Sequence, residues 1–113
     1  MFASTAAKKM FSSNVVIVGA KRTPIGSFMG SLSQLSAPHL GTVAARAALA
    51  SCEVDPTEVE EVFMGAVLQA GMGQAPARQV ALGAEMGNDT PSTTINKVCA
   101  SGMKSVMMAS QSI

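Results

Sequence analysis

The stretch Ser92–Ile113, STTINKVCASGMKSVMMASQSI, decides how the rest of this 113-residue sequence is read. β-branched residues dominate its first third, which suits a strand over 92–98. Small residues and methionines dominate the rest, which suits a helix from about Ala100 to the last residue. Between the two stands Cys99. The expectation is a strand, a sharp bend and a helix, with a thiol at the junction. Small or apolar residues occupy nearly every side of that helix, so it should be buried, with another backbone approaching closely. No capping signal closes it at Ile113, and a pattern that continues beyond this sequence is expected.

The upstream chain repeats the same unit. Pro91 precedes the strand, and Gly87, Asn88 and Asp89 should end the helix before it. That helix starts at Pro76 and carries a small-residue face of Ala77, Val80, Ala81 and Ala84. The loop GMGQAP leads into it from a strand expected over Val62–Leu68. Glu58, Glu60 and Glu61 should face solvent after a turn opened by Asp55 and Pro56. A further helix is expected behind Ser36 as cap, with Pro38 in its first turn. Leu40, Val43, Ala44 and Ala47 form its apolar face, and His39, Thr42 and Arg46 the opposite one. The loop KRTPIGSFMGS separates this helix from a first strand, Asn14–Ala20. The order is βαβαβα with helices of about 11–13 residues. It predicts the α/β class with a mainly parallel sheet covered by helices.

Composition narrows the function classes. Hydrophobic residues make up 48% and charged residues 13% of the chain, enough apolar surface for one domain and too little charge for disorder. A formal net charge of +1 gives no general attraction to nucleic acid or to an anionic membrane. No apolar run is long enough to span a bilayer. The charge is uneven: no Asp or Glu precedes Glu53. The first 13 residues, MFASTAAKKMFSS, combine Lys, Ser and apolar positions without an acid, as an organelle transit segment does. The plainer alternative is a frayed terminus. The expected division is therefore a transit-like segment, 1–13, ahead of a domain over 14–113. Mitochondrial location follows from the first reading and a cytoplasmic one from the second.

Cys99 is the strongest candidate for chemistry. A helix start offers the positive end of the macrodipole, which favours a thiolate, and backbone N–H groups able to stabilise an oxyanion. An inert buried cysteine fits the spacing equally well. Lys97 should point away from its neighbour Val98, and Lys104 lies too far round the helix to touch the thiol. His39 could serve as a base, yet nothing in the spacing brings it to Cys99; Cys52 reads as a bystander. These two cysteines form no CxxC pair, and no His/Cys cluster has metal-ligand spacing, so no metal site is expected. Gly71–Pro76 sits between strand and helix as a dinucleotide loop would, but Pro76 stands where the third glycine belongs, and a tight turn explains it better. The nine methionines read as core filling.

Three segments carry a resemblance to one family. Asn96–Ser105, NKVCASGMKS, resembles the active-cysteine segment of thiolases. Val15–Phe28, VVIVGAKRTPIGSF, resembles their first strand and loop, and Gly65–Ala84, GAVLQAGMGQAPARQVALGA, their next strand, turn and helix. Thr93–Ser112 is most similar to the mitochondrial acetoacetyl-CoA-forming branch. The resemblance spans about Val15 to Ile113 and implies the N-terminal half of a thiolase-like fold, the βαβαβα portion of a layered αβαβα core. It implies an acetyl-CoA C-acetyltransferase reaction, a reversible Claisen condensation of two acetyl-CoA to acetoacetyl-CoA. Cys99 would be the nucleophile that carries the acyl group, with its backbone N–H as an oxyanion donor. Coenzyme A thioesters would be the substrates, with no other cofactor. The family also implies a homodimer or homotetramer, with the strand before Cys99 at the dimer contact and the helix after it between two sheets.

The family's histidine base, second cysteine and water-holding asparagine come from its C-terminal half, and no motif here matches them. His39 and Cys52 are no substitutes. Ala66 stands where some relatives carry a polar residue. The sequence alone is therefore expected to lack turnover. Two alternatives remain at this level: another condensing enzyme of the same fold, and a non-catalytic binding protein built on half of the scaffold.

Overall fold

The computed structural model describes residues 15–113. The transit-like segment 1–13 and Asn14 lie outside the described residues. Three α-helices and two strands follow in order: α1 (Ala37–Ser51), β1 (Val62–Gly65), α2 (Pro76–Gly83), β2 (Ser92–Ile95) and α3 (Ser101–Ser112). A short 3-10 turn, Pro56–Glu58, links α1 to β1. The strands pair in parallel, with Val62 opposite Ser92 and Gly65 opposite Ile95. This is the expected α/β arrangement with helical crossovers.

Local sequence explains most of the element starts. The Ser36 hydroxyl accepts from the His39 N–H at 3.3 Å, and Pro38 sits in the first turn of α1, where its missing N–H loses nothing. Asp55 caps the 3-10 turn. Its carboxylate accepts from the Thr57 hydroxyl at 2.6 Å and the Thr57 N–H at 2.8 Å, and these bonds hold its pKa below the usual carboxylate range. Glu58, Glu60 and Glu61 face solvent as expected.

Side-chain alternation sends β1 to two layers. Val62 and Met64 pack towards α2 and α1, with Ala45, Leu49, Ala81, Ala84 and Met86 around them. Gly65 faces α3 instead: a Cβ there would lie 2.5 Å from the Gly102 nitrogen and the Ser101 carbonyl carbon. The sheet is thus covered by α2 on one face and α3 on the other, and α1 packs outside α2. The predicted small-residue face of α2 is the centre of the core, with Ala77 and Ala81 wholly buried and Val80 and Ala84 at 1% exposure. Burying such side chains contributes about 25 cal/mol per Å² of apolar surface removed from water.

Several expectations need correction. Val15–Ala20 has no strand pairing; Val16, Ile17 and Val18 are largely exposed, Ile17 at 79%. A parallel strand needs a neighbour for its N–H and C=O groups, and none stands beside this run among the described residues. It instead passes over the end of α1, where a Cβ on Gly19 would lie 3.0 Å from the Ala48 carbonyl oxygen. The inward face of α1 is also turned from the expected one. Pro38 is buried and Ala45 and Leu49 pack on the core, while Val43 and Ala47 are exposed. Gly41 and Thr42 make the closest approach: a Cβ on Gly41 would meet Val80 at 2.8 Å, and one on Gly83 would meet the Thr42 hydroxyl at 2.6 Å. Apolar count pointed to the larger side chains, but two backbones come closest where side chains are smallest.

Both strands and α2 are also shorter than expected, whereas α1 runs to 15 residues. β1 stops at Gly65 and β2 at Ile95, although the Ala66 N–H still donates to the Ile95 carbonyl at 2.9 Å. Helix α2 ends three residues before the Gly87 turn, because Glu85 adopts φ 64°. The Met86 N–H then donates back to the Ala81 carbonyl at 3.0 Å and the Glu85 N–H to Leu82 at 3.1 Å, the closure that glycine usually provides. α1 ends similarly, with Glu53 at φ 56° and the Val54 N–H donating to Leu49. Finally, α3 is not buried on every side. Ser101 and Ser105 are buried against the sheet, whereas Met103 is 70% and Val106 58% exposed. Covering that second face would require another layer, and among the described residues only the sheet packs against α3.

Candidate active site

Parallel strands bring the loop after β1 and the loop after β2 to the same end of the sheet, the usual place for chemistry in α/β folds. The second of these loops carries Cys99. It begins with Asn96, whose side-chain amide donates to the Val67 carbonyl at 3.1 Å and so ties the two loops together. The Asn96 Oδ1 accepts from the Val98 N–H at 2.9 Å. This is a side-chain turn of the kind that Asn favours. Val98 then takes φ 50°. Left-handed backbone is a genuine outlier for a β-branched residue and stores roughly 1–3 kcal/mol. The bend expected from sequence is therefore real, and it turns on the residue before the cysteine.

Cys99 itself is exposed, as an unpaired thiol. It precedes the cap residue Ala100, so it stands just outside α3, at the junction where the sequence placed it. The reason is the bend. The Ala100 N–H donates to the Lys97 carbonyl and the Ser101 N–H to Val98, both at 3.1 Å, which makes 97–101 a tight turn ahead of the helix. Ser101 closes it: its hydroxyl donates to the Val98 carbonyl at 2.6 Å and accepts from the Lys97 N–H at 2.9 Å. Gly65 makes room for this first turn, since any side chain there would strike Ser101 and Gly102. An exposed sulfur on a braced turn can attack a carbonyl carbon brought to it from solvent.

The loop after β1 is a tight turn, as sequence favoured, and not a phosphate cradle. Gly71, Gly73 and Ala75 all have positive φ. The Gln79 side-chain amide donates to the Met72 and Gln74 carbonyls, each at 2.8 Å. The Ala77 N–H, one of the free donors at the start of α2, is taken by the Thr94 hydroxyl at 3.0 Å. Arg78 reaches back to the Thr90 carbonyl at 3.0 Å and to that of Asn88, which fixes the turn before β2.

The other candidates are elsewhere. His39 lies in the first turn of α1. Cys52 caps the far end of that helix, half-buried, with its thiol donating to the Ala48 carbonyl at 3.2 Å and to Leu49 at 3.4 Å. Both belong to the α1 and α2 side of the sheet, whereas Cys99 stands at the head of α3 on the other. A cleft of about 710 Å³, lined in part by Glu58, Glu60, Glu61 and Phe63, opens at the opposite end of the strands. Among the described residues no cluster of His, Cys, Asp and Glu could hold a metal ion. Asn96, Ser101, Gly65 and Thr94 were not singled out from the sequence for the junction. Asn before a bend and Ser at a helix start are legible signals, and their bonds to Lys97 and Val98 are local, but Val67 and Gly65, which anchor the turn, are distant in the chain.

Residues 15–113 match the model of the thiolase N-terminal domain. The mitochondrial acetyl-CoA acetyltransferase of Xenopus tropicalis is 62% identical over 99 residues, covering 88% of this chain and 24% of the relative. Acetyl-CoA acetyltransferase 1 of Arabidopsis thaliana is 63% identical over 100 residues, with the same coverage. The chain thus spans about a quarter of the length of the relatives it matches. Among solved structures, an acetyl-CoA acetyltransferase from Syntrophomonas wolfei superposes with a TM-score of 0.83 at 36% identity, over 87% of this chain and 25% of the other. The Acat5 thiolase of Ascaris suum, crystallised with coenzyme A, gives 0.81 at 40% identity, over 85% and 25%. The turn that presents Cys99 therefore lies within a segment matched in both sequence and shape, and the chain belongs to the thiolase family.

Proposed function

We propose that the chain supplies the nucleophile-bearing N-terminal part of an acetyl-CoA C-acetyltransferase, and that Cys99 carries the acyl group. The observation behind this is the exposed Cys99 sulfur on the Val98 bend, at the C-terminal edge of a parallel sheet. In the reading, the Cys99 thiolate attacks the thioester carbonyl of an acyl-CoA. The carbonyl oxygen becomes an oxyanion that the Cys99 N–H helps to stabilise. The carbon–sulfur bond to coenzyme A breaks, coenzyme A leaves and takes up a proton, and the acetyl group remains on the Cys99 sulfur. The enolate carbon of a second acetyl-CoA then attacks that acetyl carbonyl, Cys99 departs as thiolate, and acetoacetyl-CoA is released. The proton transfers belong to acid and base groups outside this sequence. Coenzyme A thioesters are the substrates in this reading.

The working form in this reading is a homodimer or homotetramer. Its location is mitochondrial, supported by the transit-like residues 1–13 and by the names of relatives such as those from Xenopus tropicalis and Homo sapiens. The direct test is mass spectrometry of the full-length protein after brief incubation with acetyl-CoA. A 42 Da acetyl adduct (about that of any acetyl group) is expected on the Cys99 peptide, and Cys99→Ser should lower turnover by at least ~10³-fold. An adduct on Cys52 alone, or turnover that survives Cys99→Ser, would overturn the assignment.

A further inference from the structure

The bend at Val98 is held from two sides, by the side chains of Asn96 and Ser101. Asn96 Oδ1 accepts from the Val98 N–H at 2.9 Å, while the Ser101 hydroxyl donates to the Val98 carbonyl at 2.6 Å. Every polar group of this small clamp is occupied. The Asn96 amide is anchored on the Val67 carbonyl, and the Ser101 oxygen also accepts from the Lys97 N–H. Ser101 is only 4% exposed, and its own carbonyl accepts from the Ser105 hydroxyl at 3.0 Å. A β-branched residue at φ 50° returns to ordinary extended backbone unless its surroundings hold it. Such a return would swing the peptide between Val98 and Cys99, and with it both the sulfur and the Cys99 N–H.

We propose that Ser101 and Asn96 are positioning residues that hold Val98 in the left-handed conformation and thereby aim Cys99 at the acyl carbonyl. This rests on Cys99 being the acyl acceptor. It predicts a coupling that simple helix capping does not. Glycine populates positive φ without strain, so a glycine at 98 needs no clamp.

The test is a double-mutant cycle in the full-length protein, read as the single-turnover rate of Cys99 acylation by acetyl-CoA. Ser101→Ala should slow acylation about tenfold with the apparent KM changed less than about twofold, and in a Val98→Gly background the same substitution should slow it by about twofold or less. Equal losses in the two backgrounds would overturn the proposal, because Ser101 would then act through α3 alone. Hydrogen exchange supplies a readout independent of chemistry. Ser101→Ala should speed exchange of the Val98 N–H by about tenfold or more although its partner, Asn96, is untouched. Unchanged protection there would also overturn the clamp. Absence of any acylation in the unsubstituted protein would instead defeat the acyl-acceptor reading, and the exchange data would still decide whether the clamp exists.

Discussion

At the scale of single residues, the site depends on one side chain that is absent and one backbone that is bent. Gly65 is required because the first turn of α3 lies against it, with the Gly102 nitrogen 2.5 Å from where a Cβ would stand. Those neighbours are backbone, which cannot rotate aside. Gly65→Ala is therefore expected to destabilise the fold by about 1–3 kcal/mol, the usual range for overpacking. Thermal unfolding of the variant would check it, and a Tm within a degree of the parent would show that α3 can shift freely. Gly102 behaves differently: among the described residues nothing outside its own helix lies within 4 Å of a Cβ built there, so their packing does not require its lack of a side chain. Val98 shows the limit of residue-level reading. Its type argues for a strand, and the structure gives it φ 50° because Asn96 and Ser101 together outweigh that preference.

At the scale of elements, small residues determine how the helices meet. α1 and α2 approach through Gly41, Thr42 and Gly83, with Val80 filling the space over Gly41. Val80 is β-branched, fully buried and stiff at χ1, so it yields little. Gly41→Leu should destabilise by about 3 kcal/mol. The Arg46–Glu85 ion pair joins the same two elements at 2.7 Å, but its side chains are 54% and 75% exposed. Solvent screens such a pair, and Arg46→Ala should change stability by no more than ~0.5 kcal/mol. Chemical denaturation of the two variants side by side would check this ranking; an equal or larger loss for Arg46→Ala would refute it. The helix ends teach a related point. Glu53 and Glu85 close α1 and α2 in the left-handed conformation where glycine is usual, so a search for glycine runs past the true end of α2.

At the scale of the whole molecule, covered and uncovered faces are unevenly shared. The α1 and α2 side is packed, whereas Val16–Val18 and the Met103, Val106 and Met107 face of α3 are open. Apolar surface of that kind is stable in water only when another surface covers it. The chain spans about a quarter of its relatives' length, which agrees with a unit meant to be covered by further protein. The arrangement also separates Cys99 from His39 and Cys52, which sit on the other side of the sheet. Neither of these two candidate proton-transfer groups stands beside the nucleophile. The 113-residue chain alone should therefore give no sustained release of acetyl-CoA from acetoacetyl-CoA and coenzyme A, measured by loss of the acetoacetyl-CoA enolate absorbance. Steady turnover by the purified chain would refute this.

Sequence by itself determined the α/β class, the parallel pairing implied by strand–helix alternation, the Ser36 and Asp55 caps, the buried face of α2, and the strand–bend–helix order around Cys99. All of these rest on contacts between near neighbours or on a period that one segment carries alone. Tertiary structure decided which face of α1 turns inward, where β1, β2 and α2 stop, and whether Val15–Ala20 pairs as a strand. It also decided what anchors the bend at Val98 to the sheet. Asn96 reaches Val67 across 29 positions, and Gly65 meets Ser101 across the sheet. Those partners are chosen by packing in space, and no local period records them. The thiol at the bend and the side chains that brace it are neighbours in one dimension; the anchoring of that brace to Val67 and against Gly65 exists only in three.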